Sequence, residues 1–368
     1  SGGVADCSKC GRHNEANSVF KAMARDLYDG EIAYVDHKIG RFIANLKQRG
    51  LYDDTVIAFV SDHGELMWDH GEYFGHGGPW LVDELTHVPL IIKPARRGGL
   101  ARAKVVDSQV RSFDLMPTLL DLAGIDTSEL DIEARSLLPF LATQGRALAG
   151  DRVAVSENIE QDILSVRHEG WKYVLFSPPG RPARERLYNL RTTAAEKADV
   201  AARNPAMLTA MRMHAMRHLM KNRRGRYLLV TGDGMPRSYN IRIKSTRVVR
   251  DAQTLFGLPL RHKNGGTLYT VEGRTSAPIV VFARIDAPAD ATFDIVISGS
   301  GSEPLRITRR LEPEAFEQFA AADAAGRVRV GQRVALHAFK AESNVERHER
   351  RQLSAQRLET LRAFGTVQ

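Results

Sequence analysis

The sequence predicts an α/β fold followed by a β-rich region, and three observations carry that reading. A long stretch with helical apolar spacing leads into a short, continuous apolar run. A second such run follows a loop rich in His, Gly and acidic residues. Beyond residue 226 the pattern changes to alternation punctuated by Gly-rich turns. A chain of 368 residues has ample length for two cores.

Apolar residues recur at helical spacing from Phe20 to Leu46, through Met23, Leu27, Ile32, Val35, Ile39, Phe42 and Ile43. This predicts a helix capped near Asn17 or Ser18, stopped at Gly50, and open to division at Gly30. Thr55-Val56-Ile57-Ala58-Phe59-Val60 is apolar and rich in β-branched residues, and reads as a buried strand of a parallel sheet. A helix feeding such a strand is the rhythm of a doubly wound fold. Val88-Pro89-Leu90-Ile91-Ile92 reads as a second buried strand, its proline near the start, where proline is tolerated. Residues 113–124 read as a helix with Pro117 in the first turn and Gly124 as its stop.

Short strands are expected at 153–156, 163–167 and 171–176, then a helix from about 205 to 220 and a basic linker at 221–226. Further strands are expected at 227–231, 240–243, 267–271, 279–285 and 293–298, with a charged helix over 344–364. The domain reading is a flexible segment over 1–16, an α/β domain over 17–222, and a β-rich accessory domain with a C-terminal helix over 226–368.

Net charge is +8 and the isoelectric point about 9.5. The basic residues form no block interleaved with aromatics, so they read as solubilising charge, with no nucleic-acid partner. No apolar run approaches the roughly 20 residues of a membrane-spanning helix. Ser1-Gly2-Gly3-Val4 shows no basic flank followed by an apolar core, so no signal peptide is read there. Cys7 and Cys10 stand as Cys-Ser-Lys-Cys with His13 close behind. Lacking a second ligand pair or a preceding strand, they read as a loop or local disulfide ahead of a zinc or redox centre.

The chemistry concentrates in the connection between the two buried strands, residues 61–87. A long loop at the carboxyl end of a buried strand is where α/β proteins place their ligands. Asp62 and His63, adjacent at that strand end, offer one carboxylate and one imidazole to a divalent cation. Gly64 is expected to let the backbone turn so that both face one point. His76 lies thirteen residues further on in a glycine-flanked loop. There it can hold an anionic substrate oxygen or protonate a leaving group. His70, in Asp69-His70-Gly71, reads as a loop or supporting residue rather than a ligand.

These residues resemble the C-terminal half of the sulfatase family, within the alkaline phosphatase superfamily. The resemblance runs through Ser61-Asp62-His63-Gly64-Glu65, Asp69-His70-Gly71, Phe74-Gly75-His76-Gly77 and Asp83-Glu84-Leu85-Thr86-His87-Val88-Pro89-Leu90-Ile91-Ile92. It extends upstream to Tyr28-Asp29-Gly30-Glu31 and Asp36, the last read as structural. Downstream it continues through Asp114-Leu115-Met116-Pro117-Thr118, Ser136-Leu137-Leu138-Pro139 and Leu187-Tyr188-Asn189-Leu190.

It implies part of a doubly wound, alkaline-phosphatase-like sheet, with Asp62 and His63 as ligands of one divalent metal ion and His76 as a contact to sulfuryl or phosphoryl oxygens. Calcium is the expected ion, with magnesium, manganese and zinc open. The expected nucleophile is a formylglycine made in a Cys- or Ser-x-Pro-x-Arg motif, and the expected substrate a sulfated or phosphorylated small molecule or glycan. The resemblance also points to a periplasmic or extracellular location.

No such motif stands upstream of the first helix, where the family has it; Cys7-Ser8-Lys9-Cys10-Gly11-Arg12 lacks its proline and spacing. The paired acidic ligands of the family's first strand are missing as well. The expectation is a fragment, inactive alone, whose nucleophile-bearing half is a covalent or separate partner. Two other readings stay open. One is phosphate or phosphonate monoester hydrolysis, or phosphoethanolamine transfer, on the same fold. The other is an inactive protein whose arginine-rich β-domain binds polyanions.

Overall fold

The computed structural model describes residues 18–70, 73–77, 81–96, 100, 105–127, 132–142, 152–178, 183–192, 196–222, 225–232, 235–263, 265–277, 279–288, 290–300, 305–311 and 335–341. The cysteine pair with His13, the 1–16 segment and the helix expected at 344–364 lie outside these residues. The chain forms two compact units, residues 1–172 with 189–198, and residues 173–188 with 199–368.

In the first unit, α1 (Ser18–Gln48) is one continuous helix of 31 residues. Gly30 does not divide it. A single interior glycine costs about 1 kcal/mol relative to alanine, too little to break so long a hydrogen-bond ladder. No residue of α1 is buried, and Val19, Leu27, Ile32, Tyr34 and Phe42 are all more than half exposed.

β1 (Ile57–Val60) leads into a loop bearing a two-residue-per-strand hairpin, β2 (Leu66–Met67) and β3 (Phe74–Gly75). One helical turn follows, α2 (Asp83–Thr86), and the chain returns as β4 (Leu90–Lys93). β1 and β4 pair antiparallel, Ile57 opposite Lys93 and Val60 opposite Leu90. The first strand was expected in a parallel sheet; its partner among the described residues runs antiparallel to it, because this loop turns the chain back alongside the strand it left. Phe59 and Val60 are exposed rather than buried, so among the described residues this pair is a two-stranded sheet and no doubly wound sheet is assembled.

Beyond it, a short 3₁₀ turn at Ser112–Asp114 enters α3 (Leu115–Leu122), with Pro117 in its first turn. α4 (Leu138–Ala142) follows, then the antiparallel pair β5 (Ala154–Asn158) and β6 (Ile163–His168).

The second unit holds β7 (Trp171–Phe176), which begins at its border, and β8 (Arg184–Asn189) beside it, then α5 (Pro205–Asn222). β9 (Gly225–Thr231), β10 (Arg237–Ser245), β11 (Asp251–Gly257), β12 (Leu260–Lys263), β13 (Leu268–Thr275), β14 (Ile279–Asp286), β15 (Phe293–Ser300), β16 (Leu305–Leu311) and β17 (Ala335–Ala341) follow. They form two antiparallel sheets, ordered β12-β13-β10-β15-β16 and β11-β14-β9-β17.

β10 alternates strictly, with Tyr239, Ile241 and Ile243 buried and Arg242 and Lys244 exposed, so one face of its sheet is wet. The buried face joins Leu228, Val230, Val281 and Ala283 of the other sheet in a shared core. The far face of that second sheet is covered by α5. Met211, Ala215, Met216 and Leu219 are buried at helical spacing, Tyr227 donates to the Leu219 carbonyl at 3.0 Å, and Arg212 lies over Phe256.

α5 packs within the second unit, and Gln253 donates to the Ser177 carbonyl there. The expected linker at 221–226 is partly regular structure: Asn222 ends α5 and Gly225-Arg226 open β9.

Candidate functional site

The first unit carries the site at the end of β1. Ser61 donates its hydroxyl to the His63 carbonyl at 2.7 Å, and Asp62 Oδ1 accepts the His63 backbone N–H at 2.9 Å. That N–H and the adjacent His63 ring hold the Asp62 carboxyl below its ordinary pKa. His63 Nδ1 donates to the Gly64 carbonyl at 2.8 Å, which leaves Nε2 as the ring's lone-pair atom. His63 Nε2 and Asp62 Oδ2 stand 3.8 Å apart on an open face, the aspartate side chain 86% exposed. One cation bound about 2.0–2.6 Å from each atom can bridge that gap, so the donor chemistry and spacing fit a shared ion.

Gly64 is needed for a different reason from the expected sharp turn. A β-carbon there would sit 1.9 Å from the Glu84 carbonyl oxygen, because the loop lies directly against α2, with Gly64 N–H donating to Leu85 at 3.0 Å. Leu85 packs with Leu66 and Val82 into a small buried cluster that fixes α2 under the loop.

His76 reaches the site through the β2–β3 hairpin. Leu66 pairs with Gly75, so Glu65 and His76 flank the same end of the ladder, and Glu65 Oε2 meets His76 Nδ1 at 3.0 Å. Gly75 has φ +101°, a conformation side-chain-bearing residues rarely adopt. The hairpin brings the His76 ring against that of His63, centroids 4.3 Å apart and planes tilted by 32°. The hairpin is itself pinned: Trp68 stacks on Phe74 at 4.6 Å and meets Phe20 of α1 edge-on, and Arg25 donates to the Met67 carbonyl at 2.6 Å.

The structure thus brings together Asp62, His63 and His76. His70 stands apart, its Nε2 2.8 Å from Glu84 Oε2 on α2. Glu84 is held in place by its neighbour Asp83, whose carboxylate meets Arg167 and the buried Lys172; Glu196 accepts from both Lys172 and the Asp83 N–H at 2.8 Å. Burial pushes the Asp83 carboxyl up, but Lys172 and Arg167 outweigh it and hold the group below its ordinary value. For Glu196 burial wins, and its carboxyl is raised. Asp36 is an exposed residue of α1.

Sequence reasoning missed Glu65 and Glu84. Strands of two residues show no alternation, so nothing in the sequence announced that residues 65 and 76 would be partners. A Ser-x-Pro-x-Arg string does occur at 177–181, but it follows β7 in the second unit, far downstream in the chain of Asp62 and His63. Ser177 is only 4% exposed, and residues 179–181 lie outside those described.

Residues 7–125 match the family model described as Sulfatase. Over 196 residues the chain is 29% identical to arylsulfatase K of Bos taurus, covering 51% of this chain and 35% of that protein. It is 32% identical over 214 residues to the multifunctional alkaline phosphatase superfamily protein PehA of Trinickia caryophylli, covering 53% and 39%. It is 38% identical over 115 residues to an arylsulfatase of Clostridium perfringens, covering 31% and 23%. The chain therefore spans well under half the length of these relatives.

Proposed function

We propose that this chain, which carries sulfatase-family sequence over residues 7–125, is the metal- and substrate-binding part of a sulfuric ester hydrolase, its nucleophile supplied by sequence outside residues 1–368. One observation carries the reading: an Asp62 carboxylate oxygen and a His63 imidazole nitrogen stand 3.8 Å apart on exposed side chains, with the His76 ring centroid 4.3 Å from that of His63. The expected ion is calcium, and the substrate a sulfated small molecule or glycan. The protein is expected to work in the periplasm or outside the cell.

When bound, the ion supplies Lewis-acid polarisation of the ester. The chain's own residues do the rest. Asp62 and His63 would hold the cation at the strand end, with the His63 ring set by the Gly64 carbonyl. His76, held at Nδ1 by Glu65, presents its other nitrogen to an anionic oxygen of the substrate. Glu84 orients His70 behind the loop.

The 32% identity to a multifunctional alkaline phosphatase superfamily protein favours one second reading, a phosphate or phosphonate ester as substrate. The test is turnover of 4-nitrophenyl sulfate against 4-nitrophenyl phosphate by a polypeptide uniting these residues with the nucleophile-bearing part. Faster sulfate release is expected; faster phosphate release transfers the site to the second reading.

A further inference from the structure

We propose that His63, Glu65 and His76 form a second, inhibitory binding site for a zinc-class transition metal, overlapping the Asp62–His63 pair through His63. The ligand atoms of these three residues lie within 4.8 Å of one another. Two imidazoles and one carboxylate are a donor set that holds zinc with an open fourth position, whereas calcium and magnesium select oxygen-rich sites. Ligands about 2.0–2.2 Å from zinc require the cluster to tighten by roughly an ångström. Both histidines have room for that, with side chains 44% and 58% exposed.

The hairpin register makes the cluster a product of the fold rather than of chance side-chain reach. Leu66 opposite Gly75 sets Glu65 against His76, and the tilted ring contact sets His76 against His63. Glu65 has no part in holding the Asp62–His63 ion, so the two sites differ by ligand. A zinc-class ion here takes His63 from the hard cation and His76 from the substrate oxygen, which makes it competitive with both. The site itself does not rest on the sulfatase reading; only its inhibitory consequence does.

The full chain, stripped by a chelator, is titrated with Co²⁺, whose visible absorption reports its coordination, and then with Zn²⁺. The expected result is one Co²⁺ per chain, displaced by one equivalent of Zn²⁺. Glu65→Gln and His76→Ala should each weaken binding by about tenfold or more, while Asp62→Asn leaves it unchanged. Circular dichroism confirms that the variants fold, and His76→Gln repeats the test with a side chain of similar reach. Affinity unchanged in Glu65→Gln and His76→Ala overturns the proposal. So does binding lost in Asp62→Asn alone, a result that leaves the Asp62–His63 reading standing and thereby separates the two failures.

Discussion

Gly64 is the residue on which the site's geometry turns. Its α-carbon is pressed against the Glu84 carbonyl, and a β-carbon 1.9 Å from that oxygen forces either the loop or α2 to move. Gly64→Ala is expected to cost about 1–3 kcal/mol of stability, as overpacking does. It should also weaken divalent-ion binding by shifting His63. Thermal denaturation and ion titration of the variant check both, and an alanine that leaves stability and ion binding intact contradicts the packing argument. The importance of Gly64 was legible in the sequence but its reason was not, since contact with a turn twenty residues away depends on the tertiary path. That Asp62 and His63 stand side by side at a strand end was readable because they adjoin an apolar strand. Glu65 was not, because its role comes from a hairpin too short to leave a pattern.

Among elements, α3 shows how buried charge organises the first unit. Asp114, fully buried at its start, is bridged by Arg111 and Arg152, each at 2.8 Å, and accepts the Arg135 N–H at 2.9 Å. Burial raises its pKa, but the hydrogen bonds from Arg111, Arg135 and Arg152 outweigh that, and the carboxyl is held below its ordinary value. A depressed folded-state pKa means that the unfolded chain takes up the proton first as pH falls. The stability Asp114 contributes is therefore fully present above its unfolded pKa of about 3.9 and is lost as pH drops through the lower folded value. Asp114→Asn should cost about 3–5 kcal/mol near neutrality by leaving two guanidinium groups short of a charge partner. In urea denaturation its deficit against the parent chain should shrink as pH is lowered below about 4. A deficit independent of pH contradicts the ion-pair account. The sequence announced α3 through Pro117 and Gly124, whereas the partnership with Arg135 and Arg152 spans distances that no local pattern encodes. The same limit hid β11, β12, β16 and β17, and the antiparallel pairing of β1 with β4.

On the scale of the whole molecule, the long helix α1 was legible from its apolar spacing, yet its apolar side chains are largely exposed among the described residues. β1 and β4 likewise expose Phe59, Val60 and Ile91. Apolar spacing shows which residues need cover, not which part of the protein supplies it. The β-rich character of the residues beyond 226 was legible from their alternation and turns.

The proposed function makes ester hydrolysis depend on an ion held by Asp62 and His63. Its most direct measurement is sulfate-ester turnover by the polypeptide uniting these residues with the nucleophile-bearing part, before and after chelation, in the parent and in Asp62→Asn. Activity is expected to be lost on chelation and restored by calcium, with kcat/KM for Asp62→Asn lower by about a hundredfold or more, the scale of losing one electrostatic stabiliser of the transition state. Turnover indifferent to chelator, or an Asp62→Asn variant as active as its parent, would contradict it.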